Sequence, residues 1–258
     1  MLANKTLIKL LTLVTFIGMV VVNGLANILP INGVTTGRVS DSYSNLFAPV
    51  GITFSIWGLI YLLLLAYVIY QFIPKTLGKD KVINKINIYF IISSVVNSVW
   101  IFAWHYRIIG LTVILMLILL YSLIKISKLT NEMVLSFKDK LFIKIPFGIY
   151  FGWITIASIA NITIFLVSLG WKNFIFADQI WMIVVLFVGL VIASITTIKE
   201  KNLAYGLVPI WAYFGIYLKH TSPLEFNNMY QGVIIATIIC ILVFVIVNSY
   251  LLVKKNPI

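Results

Sequence analysis

Apolar residues in this chain come in runs of about 20, the length that crosses a hydrocarbon core of about 30 Å. Eight such runs, at 7–28, 50–73, 85–105, 108–124, 142–168, 179–198, 203–218 and 229–253, alternate with short polar segments. A soluble domain needs a polar surface, and 258 residues that are 62% apolar and 10% charged cannot supply one. The pattern predicts an all-α polytopic membrane protein, because a helix satisfies its own backbone hydrogen bonds in lipid. The seventh run is the shortest and contains Pro209, which is tolerated where neighbours re-satisfy the freed carbonyl.

The charges give the orientation. With eight alternating spans, fifteen of the nineteen Lys and Arg fall on one side. The other side receives only Arg38, Arg107, Lys172 and Lys219. Basic residues gather in the cytoplasm, so both termini are expected there, in the cell membrane. The net charge of +12 is then topological, with some attraction to anionic lipid, and argues against a nucleic-acid partner. Lys5, Lys9, the apolar stretch 10–22 and the small Gly24 and Ala26 also fit a signal peptide. The stretch runs on to Leu29, longer than a usual signal core, which favours a retained span. The single cysteine, Cys240, permits no internal disulfide and reads as a small apolar packing residue.

The expected membrane interior lacks ionisable groups. All seven acidic residues, and His105 and His220, lie in loops or at span ends. Proton relays and ion paths usually need such groups inside the bilayer. No nucleophilic triad, metal-ligand cluster or phosphate-cradling loop is visible, so no catalytic residue, metal or resident cofactor is expected. The interior polar groups are uncharged: Asn23, Asn27, Asn97, Asn161, Asn248 and scattered Ser and Thr.

Some of these coincide with aromatics on one helix face. At about 100° per residue, Asn97, Trp100 and Trp104 fall within an arc of about 60°. Phe54, Trp57 and Tyr61 in the second span share a similar arc, as do Pro146, Tyr150, Trp153, Ala157 and Asn161 in the fifth. Taken singly, each amide is explained by an interhelical hydrogen bond and each aromatic by packing. Three such faces brought together instead make a cavity with stacking walls and neutral polar contacts, suited to a flat hydrophobic molecule. The candidate ligand-binding residues are Phe54, Trp57, Tyr61, Asn97, Trp100, Trp104, Tyr150, Trp153, Ala157 and Asn161.

These stretches resemble a known family. "PVGITFSIWGLIY" at 49–61 is similar to the second-helix signature of the tryptophan-rich sensory protein family (TspO/MBR, translocator protein), with Trp57 and Tyr61 in the matching positions. "NSVWIFAWHY" at 97–106 resembles its third helix. "PFGIYFGWITIASIANITIFL" at 146–166 resembles its fifth, through Pro146, Tyr150, Trp153, Ala157 and Asn161. The resemblance covers roughly 1–168, and implies a five-helix bundle over 1–170 followed by three additional transmembrane helices over 171–258. It departs from the pattern at Ser55 and Ile56, where the family carries a Pro before the Trp, and in a longer, more polar first loop. Tetrapyrroles and sterol-like lipids are the ligands the resemblance implies.

Three functions stay open on the sequence. One is a binding, sensor or transporter-like protein for a planar hydrophobic ligand. A second is a small-solute permease, supported only by a short echo of "IWGLIY" at 56–61 in "IWAYFGIY" at 210–217. A third is an intramembrane enzyme of porphyrin or isoprenoid turnover, for which no acid–base pair is visible. The segment 22–49 reads either as a solvated connector or as a lid. Val68, Tyr70 and Lys75 fit a loose cholesterol-contact pattern. Gly148 and Gly152 form a small-residue face that packs helices or subunits, so a homodimer is a further expectation.

Overall fold

The computed structural model describes residues 2–43, 45–73, 79–170 and 178–254. Lys75, and with it part of the cholesterol-contact pattern, lies outside the described residues, as does Lys172. Eight long helices follow one another: α1 (Leu2–Ile28), α2 (Ile56–Tyr70), α3 (Lys79–His105), α4 (Ile109–Asn131), α5 (Ile145–Ser168), α6 (Asp178–Glu200), α7 (Leu203–Thr221) and α8 (Gln231–Val253). No strand occurs among the described residues. Seven of the helical stretches are long and apolar enough to cross a membrane; α7 is the one that is not.

The reason lies in where α7 sits. Tyr205, Gly206, Pro209, Tyr213, Lys219 and His220 on it are all buried in protein, so it has less need of a lipid-facing apolar surface. At about 1.5 Å per residue its 19 residues still measure about 28 Å. It starts at an N-cap, where Asn202 accepts from the Tyr205 N–H at 3.2 Å.

The chain forms two compact units, which do not divide at residue 170. One comprises residues 1–39 and 58–151, the other 40–57 and 152–258. In the first unit α3 packs against α1 and α4. Its core is a mutual edge-to-face set of Tyr67, Phe90 and Phe147, with centroids 4.7–5.8 Å apart, joining α2, α3 and the start of α5. One end is closed by Asp139, buried just ahead of α5. It pairs with Lys79, accepts from Tyr70 Oη at 3.0 Å, and forms a capping box with Ser136. The acid is thus at a span end, as expected, but buried and satisfied.

In the second unit α8 packs against α6 and α7. The Tyr213 hydroxyl donates to the Leu186 carbonyl at 2.8 Å over Gly189, and its ring meets Phe47 and Phe244 edge-on. Asn248 Nδ2 donates to the Gly206 carbonyl at 3.0 Å, where a Cβ on Gly206 would collide with Asn248. Pro209 cannot donate to the Tyr205 carbonyl one turn back. That carbonyl instead lies against Gly152 of α5, where a Cβ would sit 2.8 Å from the oxygen. Gly152 therefore serves packing within the chain, against Tyr205 and Val208 of α7. Cys240 is a buried free thiol, consistent with its packing assignment.

Candidate functional site

The ten candidate residues divide between the units. Tyr61, Asn97, Trp100, Trp104 and Tyr150 belong to the first; Phe54, Trp57, Trp153, Ala157 and Asn161 belong to the second.

In the first unit the α3 trio shares a face as its spacing predicts. The rings of Trp100 and Trp104 lie parallel, centroids 5.1 Å apart at 19°. One turn before them, Asn97 Oδ1 accepts from Asn23 Nδ2 of α1 at 2.7 Å. Asn23 also donates to the Met19 carbonyl at 2.9 Å, so its amide is fully committed on the donor side. The Tyr150 hydroxyl, near the start of α5, interacts with Asn97, and Tyr61 of α2 is its electrostatic neighbour. The result is a polar cluster of two amides and two phenols, with a stacked indole pair one turn away.

The two indoles have different surroundings. Trp104 is 4% exposed and its Nε1–H donates to the Thr36 carbonyl at 3.1 Å. Trp100 is half-buried, and its Nε1–H is enclosed without an acceptor. An indole nitrogen is a donor only, so this hydrogen has no partner in the structure.

The segment after α1 caps this end of α3. A short helical turn at Ile31–Gly33 places Asn32, in a left-handed conformation (φ 54°), with its side chain donating to the His105 carbonyl at 3.0 Å. The helix Thr36–Asp41 follows, and Thr36 Oγ1 lies 3.4 Å from His105 Nε2. His105 Nδ1 faces the Ile101 carbonyl at 2.7 Å, so that nitrogen carries the proton. Val39, Phe47 and Ala48 are buried. The stretch 32–36 thus forms a cover on this end of α3.

In the second unit Trp153 meets Phe54 edge-on at 5.7 Å and Trp57 edge-on at 6.4 Å. Phe54 reaches Trp153 by another route than the sequence implies. It lies on a 3₁₀ turn, Gly51–Ser55, ahead of α2, so its direction does not follow the α-helical arc assumed for Phe54, Trp57 and Tyr61. Ala157 is half-buried one turn after Trp153, and Asn161 is buried one turn further on.

A family model for TSPO-like protein matches residues 9–250. The chain belongs to the TSPO-like protein family. The match runs across residue 170, so it includes α6, α7 and α8 as well as the helices that carry the recognisable motifs. No curated protein and no solved structure matches the chain. Within this TSPO-like fold, sequence reasoning named Asn97 but not its partner Asn23, nor Asn32, Thr36 and His105, which hold the cover. Asn23 was visible as a polar residue in the first span, but α1 offers no aromatic beside it to mark a face.

Proposed function

We propose that this TSPO-like membrane protein binds a planar hydrophobic ligand, tetrapyrrole-like or sterol- or isoprenoid-like, against the Trp100 face of α3. The observation that carries the reading is the Trp100 indole. Its ring stacks on Trp104, and its N–H is enclosed without an acceptor. A buried donor left unpaired costs about 1–3 kcal/mol. A ligand that stacks on the ring and presents a carbonyl, carboxylate or ring nitrogen removes that cost. The Asn23–Asn97 pair is self-satisfied and sets the polar floor, so Asn97 acts by position more than by donating to the ligand.

The role proposed is binding, in sensing or carriage, with no catalytic step assigned. Loop 30–41 governs entry, because it ties to Trp104 and His105 beside the indole pair. We also propose the cell membrane as its location with both termini in the cytoplasm, a reading supported by the fifteen-to-four charge split over eight crossings. The test is a titration of purified protein with protoporphyrin IX, followed by tryptophan fluorescence with inner-filter correction. Saturable quenching is expected in wild type. Linear, unsaturable quenching would reject the reading.

A further inference from the structure

At the end of α7 opposite its Asn202 cap, two adjacent buried side chains lack the partners their chemistry calls for. Lys219 is 8% exposed, and its Nζ lies 5.8 Å from the centroid of the Phe226 ring. No ion pair to it is recorded among the described residues. Asp41, Asp178 and Glu225, the carboxylates of this unit nearest in sequence to its loops on this side, are solvent-exposed. An aromatic face is a weak substitute for an anion, so the Lys219 ammonium held this way is short of a counter-charge.

His220 is fully buried and completes the corner. Its Nε2 lies 3.0 Å from the Leu46 carbonyl, which only accepts, so Nε2 carries the proton. Burial, with the charge of Lys219 nearby, pushes the imidazole below its ordinary pKa and keeps it neutral. Nδ1 is then a lone pair, buried and without a donor. The ring is fixed by Phe226 at 4.7 Å and Tyr230 at 5.7 Å, both half-buried. The loop that carries Phe226 is itself set by left-handed Asn227 and Asn228 and by the Asn228 N–H donating to the His220 carbonyl at 2.9 Å.

The corner thus asks for an anion and a hydrogen-bond donor together. A bare carboxylate would satisfy Lys219 and leave Nδ1 empty. A neutral alcohol would do the reverse. Lys219 and His220 follow the apolar stretch 203–218 in a membrane protein, and the end of such a stretch is where a crossing helix would meet lipid phosphates.

We propose that the Lys219–His220 corner binds a glycerol-phosphate group, with phosphate oxygens accepting from the Lys219 ammonium and a glycerol hydroxyl donating to His220 Nδ1. The group is available as the headgroup of phosphatidylglycerol or as a soluble glycerol phosphate. This site belongs to the second unit and is independent of the Trp100 reading.

The test uses the purified full chain. Native mass spectrometry compares retention of phosphatidylglycerol and phosphatidylcholine of identical acyl chains. Thermal unfolding is followed with glycerol 3-phosphate and with sulfate at matched ionic strength. Wild type is expected to retain phosphatidylglycerol at least fivefold better than phosphatidylcholine, or to gain a saturable midpoint rise with glycerol 3-phosphate over sulfate. The first result assigns the lipid source and the second the soluble one; both support the site. Lys219→Met and His220→Phe should each remove most of the preference, while Lys219→Arg keeps at least half. A wild type that prefers neither probe overturns the proposal. So does a preference kept in full by a folded Lys219→Met or His220→Phe protein, because it would then arise from the many lysines elsewhere. If Lys219→Met does not fold, His220→Phe and the wild-type comparison decide.

Discussion

Asn23 of α1 and Asn97 of α3 share a buried hydrogen bond, Nδ2 to Oδ1 at 2.7 Å, with exposures of 8% and 2%. It is a direct amide link between the first span and the helix that carries the stacked indoles. Removing one member leaves the other amide without its partner in a membrane interior. Asn97→Leu should therefore destabilise by about 1–2 kcal/mol, and Asn23→Leu by a similar amount. The double variant should lose clearly less than the sum, since the two act through one bond. Denaturation in mixed micelles, followed by helical circular dichroism, measures all three. Simple additivity would mean that the pair contributes nothing as a pair.

Gly152 tests how closely α5 approaches α7. A Cβ there would lie 2.8 Å from the Tyr205 carbonyl oxygen and 2.9 Å from Val208 Cβ, both rigid neighbours. Gly152→Ala should cost about 1–3 kcal/mol, as overpacking does. Gly58→Ala, on α2 with open space around it, should be neutral or slightly stabilising, because alanine suits a helix better. Thermal midpoints of the two variants should move apart. Equal midpoints would deny the close approach.

Asp139 gives a third test. It is 2% exposed, pairs with Lys79, and accepts from Ser136 at 2.7 Å and from Tyr70. Asp139→Leu strands four donors, the Ser136 backbone N–H included, and Lys79 is partly exposed and can regain water. A loss of about 2–4 kcal/mol is expected, near the lower part of the range for broken buried pairs. Lys79→Met should cost less, because Ser136 and Tyr70 still hold the carboxylate. If Lys79→Met is the more damaging change, the ion pair outweighs the hydrogen bonds and the ranking is wrong.

Apolar runs near 20 residues were enough to read a helical membrane protein, because lipid leaves the backbone few alternatives; of the eight runs read as spans, all form long helices and seven are long and apolar enough to cross. The shared face of Asn97, Trp100 and Trp104 was equally legible, since a 3.6-residue period is a local property. What was not legible is tertiary. Asn23 carries no local mark of pairing with a residue 74 positions away. Phe54 was placed on an α-helical arc, but a 3₁₀ turn redirects it. Nothing in the composition of 22–49 shows that Thr36 offers its carbonyl to Trp104, or that the units regroup 40–57 with the second half of the chain. The chemistry at Lys219 and His220 was also hidden, because both were set aside as residues of a span edge.

The charge split makes orientation testable. With fifteen of nineteen Lys and Arg on one side, reporters active only in the cytoplasm should work at both termini. The C-terminal fusion is the informative one, because it depends on α7 crossing despite its lower apolarity. A stable fusion that is active at the N-terminus and silent at the C-terminus would make α7 a re-entrant or surface helix.

The unequal indoles of α3 give the sharpest test of function. Trp104 spends its N–H on Thr36 and is nearly fully buried, so it anchors the cover. Trp100 has no acceptor for its N–H. Trp100→Phe preserves an aromatic surface and removes only the donor. It should leave the thermal midpoint within a few degrees of wild type and weaken protoporphyrin IX binding by about 5–15-fold, the value of a hydrogen bond of about 1–1.5 kcal/mol. Trp104→Leu should act differently, lowering stability and speeding ligand exchange as the Thr36 tether is lost. Stopped-flow quenching separates the two, since Trp100→Phe leaves the association rate unchanged and raises dissociation. Should Trp100→Phe bind as tightly as wild type while Trp104→Leu merely unfolds sooner, both indoles are packing residues and the ligand face lies elsewhere.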